Sequence, residues 1–192
     1  MPTTTPPSIP QDTIDNLLYS ARTGDLETLH DDLTTLTKAH NTPPSTLIPH
    51  IIDPASKNTL LHMASANGHC KILSSIFETH LSTGAARQPL VNSQNASGNT
   101  ALHWAALNGH LDAAKVLVGA GADIKIKNAA GHEAMYEAER NGKEELAEWL
   151  LSLGDEKGVK EEDGGRDGAE TDGIHDDAAD EKDGIAEAVG PE

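Results

Sequence analysis

Histidine recurs in this chain at a spacing that could hold a metal. Six residues separate His62 from His69, and six separate His103 from His110. Zinc, however, needs three or four ligands converging on one point. Both pairs fall at the same place in two copies of one motif, so they are strung along the chain rather than gathered around a centre. The structural reading is that Thr59 with His62, and Thr100 with His103, cap a helix and bond to the backbone of a neighbouring hairpin. No metal site and no cofactor is expected. Cys70, the only cysteine, falls on the apolar side of a helix beside Ile72 and Leu73, a place for an inert buried thiol. Serine, histidine and aspartate are abundant, but no spacing singles out a triad. No glycine-rich phosphate loop follows a strand. No catalytic residue is assigned, and the chain reads as non-enzymatic.

The elements that carry these residues repeat. Residues 59–69 read TLLHMASANGH and residues 100–110 read TALHWAALNGH. A weaker copy, EAMYEAERNGK, occupies 133–143, and an earlier half-match, LLYSARTGDL, occupies 17–26. Gly24, Gly68, Gly109 and Gly142 hold equivalent positions. The last two lie 33 residues apart, and the first two intervals are 44 and 41, which implies insertions of 11 and 8 residues. Such internal periodicity is the mark of a solenoid of stacked units. Two apolar helical stripes flank each glycine. Ile14, Leu17, Leu18 and Ala21 precede Gly24, and Leu26, Leu29, Leu33 and Leu36 follow it, at the spacing of one helix face. Later second helices repeat this with Ile72, Leu73, Ile76 and Phe77, then Val116 and Leu117, then Leu146, Trp149 and Leu150. The glycine supplies the left-handed turn between the two helices. Ser97-Gly98-Asn99 and Gly121-Ala122-Asp123 punctuate the loops.

Bulk composition narrows the class. Aromatic residues are 3% of the 192, too few for one large core, so thin layers spread along the chain fit better. The formal charge is −17, which repels nucleic acid and anionic lipid and attracts basic partners. One cysteine permits no disulfide and fits a reducing compartment. The first residues, MPTTTPPSIP, do not make a signal peptide, and no apolar run approaches the about 18 residues of a membrane span. The expected organisation is a loose leader at 1–10, a folded unit at 11–154 and a disordered tail at 155–192. That tail holds fifteen acidic and four basic residues, too polar to offset its chain entropy. It serves either solvation or the screening of a basic client.

The pattern T-x-L-H-x-A-A-x-x-G-H, followed by an apolar helix and G-A-D, resembles the ankyrin repeat. The third unit matches closely, the second well, the fourth is degenerate and the first looks like a cap. This implies an all-α ankyrin solenoid of about four helix pairs with short hairpin loops, flanked by disordered tails. A narrower resemblance is to the fungal ankyrin proteins that act as dedicated chaperones of small-subunit ribosomal protein S-three. It is carried by ARTGDL (21–26), LHMASANGH (61–69), GNTALHWAALNGHLD (98–112) and GHEAMYEAERNGKEE (131–145). The resemblance implies that the chain holds the basic N-terminal helix of that ribosomal protein, keeps it soluble and escorts it from cytoplasm to nucleus. A monomer is expected. A generic ankyrin adaptor in signalling or transcription remains the alternative.

In an ankyrin stack the first helices and hairpins line one concave side. The candidate partner-binding residues there are Met63, Ala66 and Asn67 in the second unit and Trp104, Leu107 and Asn108 in the third. The fourth contributes Glu133, Glu137, Glu139, Arg140 and Asn141. Met63 and Trp104 serve either packing between repeats or a partner, and the glutamates are either solvated surface or part of the site. Read together, the line runs from apolar to acidic, which would suit an amphipathic helix bearing lysine or arginine on one face. Thr59, His62, Gly68, Thr100, His103, Gly109 and Gly142 are assigned to the repeat framework. The insertions near 38–57 and 80–95 are given no path.

Overall fold

The computed structural model describes residues 8–80 and 84–158. The leader and tail therefore lie outside the described residues, apart from 8–10 and 155–158.

Four helix pairs are stacked in sequence order. The first helices are α1 (Gln11–Thr23), α4 (Leu60–Ala66), α7 (Ala101–Asn108) and α9 (Ala134–Arg140). Their partners are α2 (Leu26–His40), α5 (Cys70–Ser75), α8 (Leu111–Gly119) and α10 (Glu144–Gly158). The insertions add α3 (Pro44–Leu47) and α6 (Gly84–Val91). Helix α1 packs on α4, α4 on α7 and α7 on α9, while α5 packs on α8 behind them. Two rows of helices result, as the repeat spacing predicts. Helix α10 runs four residues past the expected boundary at 154.

Small residues let the first helices approach. Ala64, Ala105 and Ala106 are fully buried, as are Leu17, Leu61, Ile72, Leu73 and Leu117. The four turn glycines all take positive φ, between 67° and 83°. Gly68 shows why glycine is followed by histidine in this motif. A Cβ on it would lie 2.7 Å from the His110 ring of the next repeat, so the glycine both makes the turn and leaves room for its neighbour's side chain.

The hairpins are stitched in the same register. The backbone N–H of Ala96 donates to the Ser56 carbonyl (2.8 Å), and that of Ala129 to the Ser97 carbonyl (3.1 Å). Asn95 Nδ2 reaches Asn58 Oδ1 at 2.8 Å and Asn128 Nδ2 reaches Asn99 Oδ1 at 2.9 Å. Gly98 is needed here, because its Cβ would lie 2.5 Å from the Ala129 nitrogen.

Both insertions are part of the core. Helix α3 and the 3₁₀ turn Ile48–His50 bury Leu47, Ile48 and Ile51, and α6 buries Leu90 and Val91. Cys70 differs from expectation. It opens α5 half-buried, its thiol 3.3 Å from the Gly68 carbonyl, because the first turn of a second helix lies at the stack's edge.

Candidate partner-binding site

The framework residues form a relay between repeats. In the second repeat the Thr59 hydroxyl accepts from the helix backbone, while the Thr59 N–H donates to His62 Nδ1 at 3.2 Å. This leaves the other ring nitrogen to donate to the Asn99 carbonyl of the next hairpin, at 2.9 Å. Thr100 and His103 do the same, with the His103 Nε2 contact reaching the His132 carbonyl at 3.0 Å. Each histidine thus caps its own helix and fastens the following repeat. His69 points elsewhere, to the Arg22 carbonyl at 2.9 Å, so the paired histidines do not converge on a metal. Burial drives the His62 imidazole down to about 4, outweighing the Asn99 carbonyl that favours its charged form. His103 is also held below its ordinary value, first by burial.

Between the framework positions a groove of about 420 Å³ opens on the first-helix row. Of the predicted residues it is lined by Met63, Ala66, Asn67, Trp104 and Asn108. Trp104 is half-buried, and its indole N–H is turned inward with no hydrogen-bond partner among the described residues. What it offers outward is hydrocarbon. The asparagines are already engaged: Asn67 Nδ2 donates to the Met63 carbonyl at 2.9 Å and Asn108 Nδ2 to the Ala66 carbonyl at 2.9 Å. Leu107 is half-buried on the same helix, outside the lining of this groove.

The fourth repeat departs from the predicted acidic line. Glu137 occupies the position of Met63 and Trp104, yet it is only 8% exposed. Its carboxylate accepts from Asn128 Nδ2 at 2.9 Å and from His132 Nδ1 at 3.0 Å. Burial works to raise its pKa, but His132, Asn128 and the charge of Arg140 together hold it below its ordinary value. Glu133 opens α9, 3.9 Å from Lys125. Glu139 faces the end of the stack, on a different surface from Trp104. Asn141 donates to the Glu137 carbonyl at 2.8 Å, and Arg140 is exposed on the last turn of α9. The line read from sequence is therefore broken: apolar groove residues are brought together, and the three glutamates are dispersed.

Sequence reasoning missed Arg22 and Asn58, which also line the groove. Tyr19, an exposed aromatic at 66%, was not singled out either, though it does not line this groove. Counting back from Gly24 puts Tyr19 in the row of Met63 and Trp104, and Arg22 in the row of Ala66 and Leu107. That register was available in the half-match at 17–26.

The chain matches the family model described as ankyrin repeats (3 copies) over residues 12–128 and 61–161. It belongs to the ankyrin-repeat family. No curated protein gives a significant match. Among solved structures, the ankyrin chain is similar to the chaperone in the crystal structure of the yeast ribosomal protein Rps3 in complex with its chaperone Yar1. The two share 39% identity with a TM-score of 0.67, over 76% of this chain and 95% of that one. The ankyrin stack described above is a protein-binding module.

Proposed function

We propose that this chain is a dedicated chaperone of small-subunit ribosomal protein S3, holding it by the first-helix groove until ribosome assembly. The observation that carries this is the 39% identity to a chaperone of Rps3 across 95% of that chain. The client segment would be the basic N-terminal helix, its aliphatic side against Met63 and Trp104. Such binding acts by mass action: covering an apolar segment keeps it from aggregating, with no nucleotide and no catalytic step. The acidic chain as a whole, at −17, would raise the encounter rate with a basic client. Escort from cytoplasm to nucleus belongs to the same proposal, and fractionation of tagged cells checks it.

The test is calorimetry of the full chain with S3 and with a peptide of its N-terminal helix. Saturable one-to-one binding by both supports the proposal. Absence of binding to intact S3 refutes it, and capture of a signalling protein in place of S3 from extract would favour the adaptor reading.

A further inference from the structure

The last repeat keeps open a groove that earlier repeats cover. Leu61 and Leu102, with Ser65 and Ala106 one turn later, are at most 1% exposed, each pair on a helix that has the next first helix packed against it. The equivalent positions in the fourth repeat are Met135, half-buried, and Glu139, exposed. Between α9 and α10 they border a groove of about 470 Å³, together with Ala147, Leu151, Glu144 and Glu148. Leu151 is 52% exposed. On α10, Ala147 and Leu151 are four residues apart, and so are Glu144 and Glu148, giving an apolar stripe beside an acidic one. Among the described residues no lysine or arginine pairs with Glu139, Glu144 or Glu148.

Charge decides the occupant. The chain's own segment 155–192, with fifteen acidic and four basic residues, is repelled by this rim. A second copy would bring the same glutamates face to face. A helix with an aliphatic stripe flanked by lysine or arginine meets both stripes at once. We propose that this end of the stack is a second docking surface, separate from the first-helix groove, for a basic amphipathic helix of a partner protein. It does not depend on which protein occupies the first-helix groove. The competing account is a polar cap that merely keeps the stack soluble.

The chain's three methionines separate these cases. Met63 reports the first-helix groove and Met135 the end groove. The experiment is methyl NMR of full-length chain labelled at methionine. It is titrated with a synthetic helical peptide of leucines in one stripe and lysines elsewhere, and with an isomer whose leucines are scattered. The expected result is movement of the Met135 methyl, with the isomer about tenfold weaker. Leu151→Asp, and Glu139→Lys with Glu148→Lys, alter exposed side chains and should each weaken the striped peptide about tenfold, with melting unchanged. A stationary Met135 methyl, equal binding of the two peptides, or variants that bind like the parent overturns the proposal.

Discussion

Lowering the pH from 7.5 to 5 should loosen the stack through His62. This side chain is 1% exposed, and its Nδ1 accepts the Thr59 N–H while its other nitrogen donates to the Asn99 carbonyl. A proton on Nδ1 removes the acceptor and leaves a charge out of water. The unfolded imidazole titrates near 6.5, the folded one at about 4. A depressed histidine pKa means that the unfolded chain binds the proton more readily, so stability is complete above about 6.5 and falls as pH drops toward 4. At about 1.4 kcal/mol per pH unit the full loss is about 3 kcal/mol, of which about 2 kcal/mol has gone by pH 5. His103, shifted in the same direction, adds to it. The carboxyls held low, Asp25, Asp53 and Glu137, lose their contribution as pH falls below their ordinary values of 3.8 to 4.5. That lies under the interval from 7.5 to 5, so they do not confuse the comparison. Urea titrations followed by circular dichroism at several pH values measure the slope. His62→Gln keeps an acceptor for the cap and cannot titrate, so it should flatten the curve. A parent chain equally stable at both pH values, or a variant with the parent's slope, would refute the reasoning.

Trp104→Ala should weaken S3 binding by about 2 kcal/mol, roughly thirtyfold in Kd by calorimetry; parental affinity would remove this residue from the site. Gly68→Ala meets both a φ of 72° and the His110 ring, so it should cost about 2 kcal/mol or more in chemical denaturation. Gly142→Ala, at φ 67° with open space around it, should cost about 1 kcal/mol; equal costs would deny the His110 contact. Leu47→Ala, in a fully buried position, should cost about 2–5 kcal/mol, and a near-neutral result would mean that the first insertion does not support the core.

The repeat framework was legible because its physics is local and recurs. A threonine three residues before a histidine, and a glycine before another, state their bonds in the sequence, and the structure makes those bonds at both Thr59–His62 and Thr100–His103. The insertions were not legible, since Pro43 and Pro44 break any helical period before Leu47, Ile48 and Ile51, and aliphatics without a period do not say which surface they cover. Cys70 was placed too deep for a related reason: a helical stripe gives the face of a helix and not the depth of its first turn. The groove was partly legible. Met63 and Trp104 fell into it by register, whereas Arg22 came from a repeat whose motif is only half preserved.

Glu137 shows how framework and groove compete for the same residues. In the second and third repeats the histidine carries the contact to the next hairpin, so the residue after it, Met63 or Trp104, is free for the surface. The fourth repeat has Tyr136 in the histidine position, exposed and lying 4.1 Å from the His132 ring between centroids. Its own hairpin is then held by Glu137, through Asn128 and His132. Both donors take the same carboxylate oxygen, Oε1, and the side chain is only 8% exposed. It is burial that withholds Glu137 from a client's lysine, and Glu137 does not line the groove. Net charge and register together pointed to acidic residues in the trough. Burial with two bonds inside the fold removes Glu137 from it, because a buried carboxylate is satisfied by its own hairpin and is not presented to a partner.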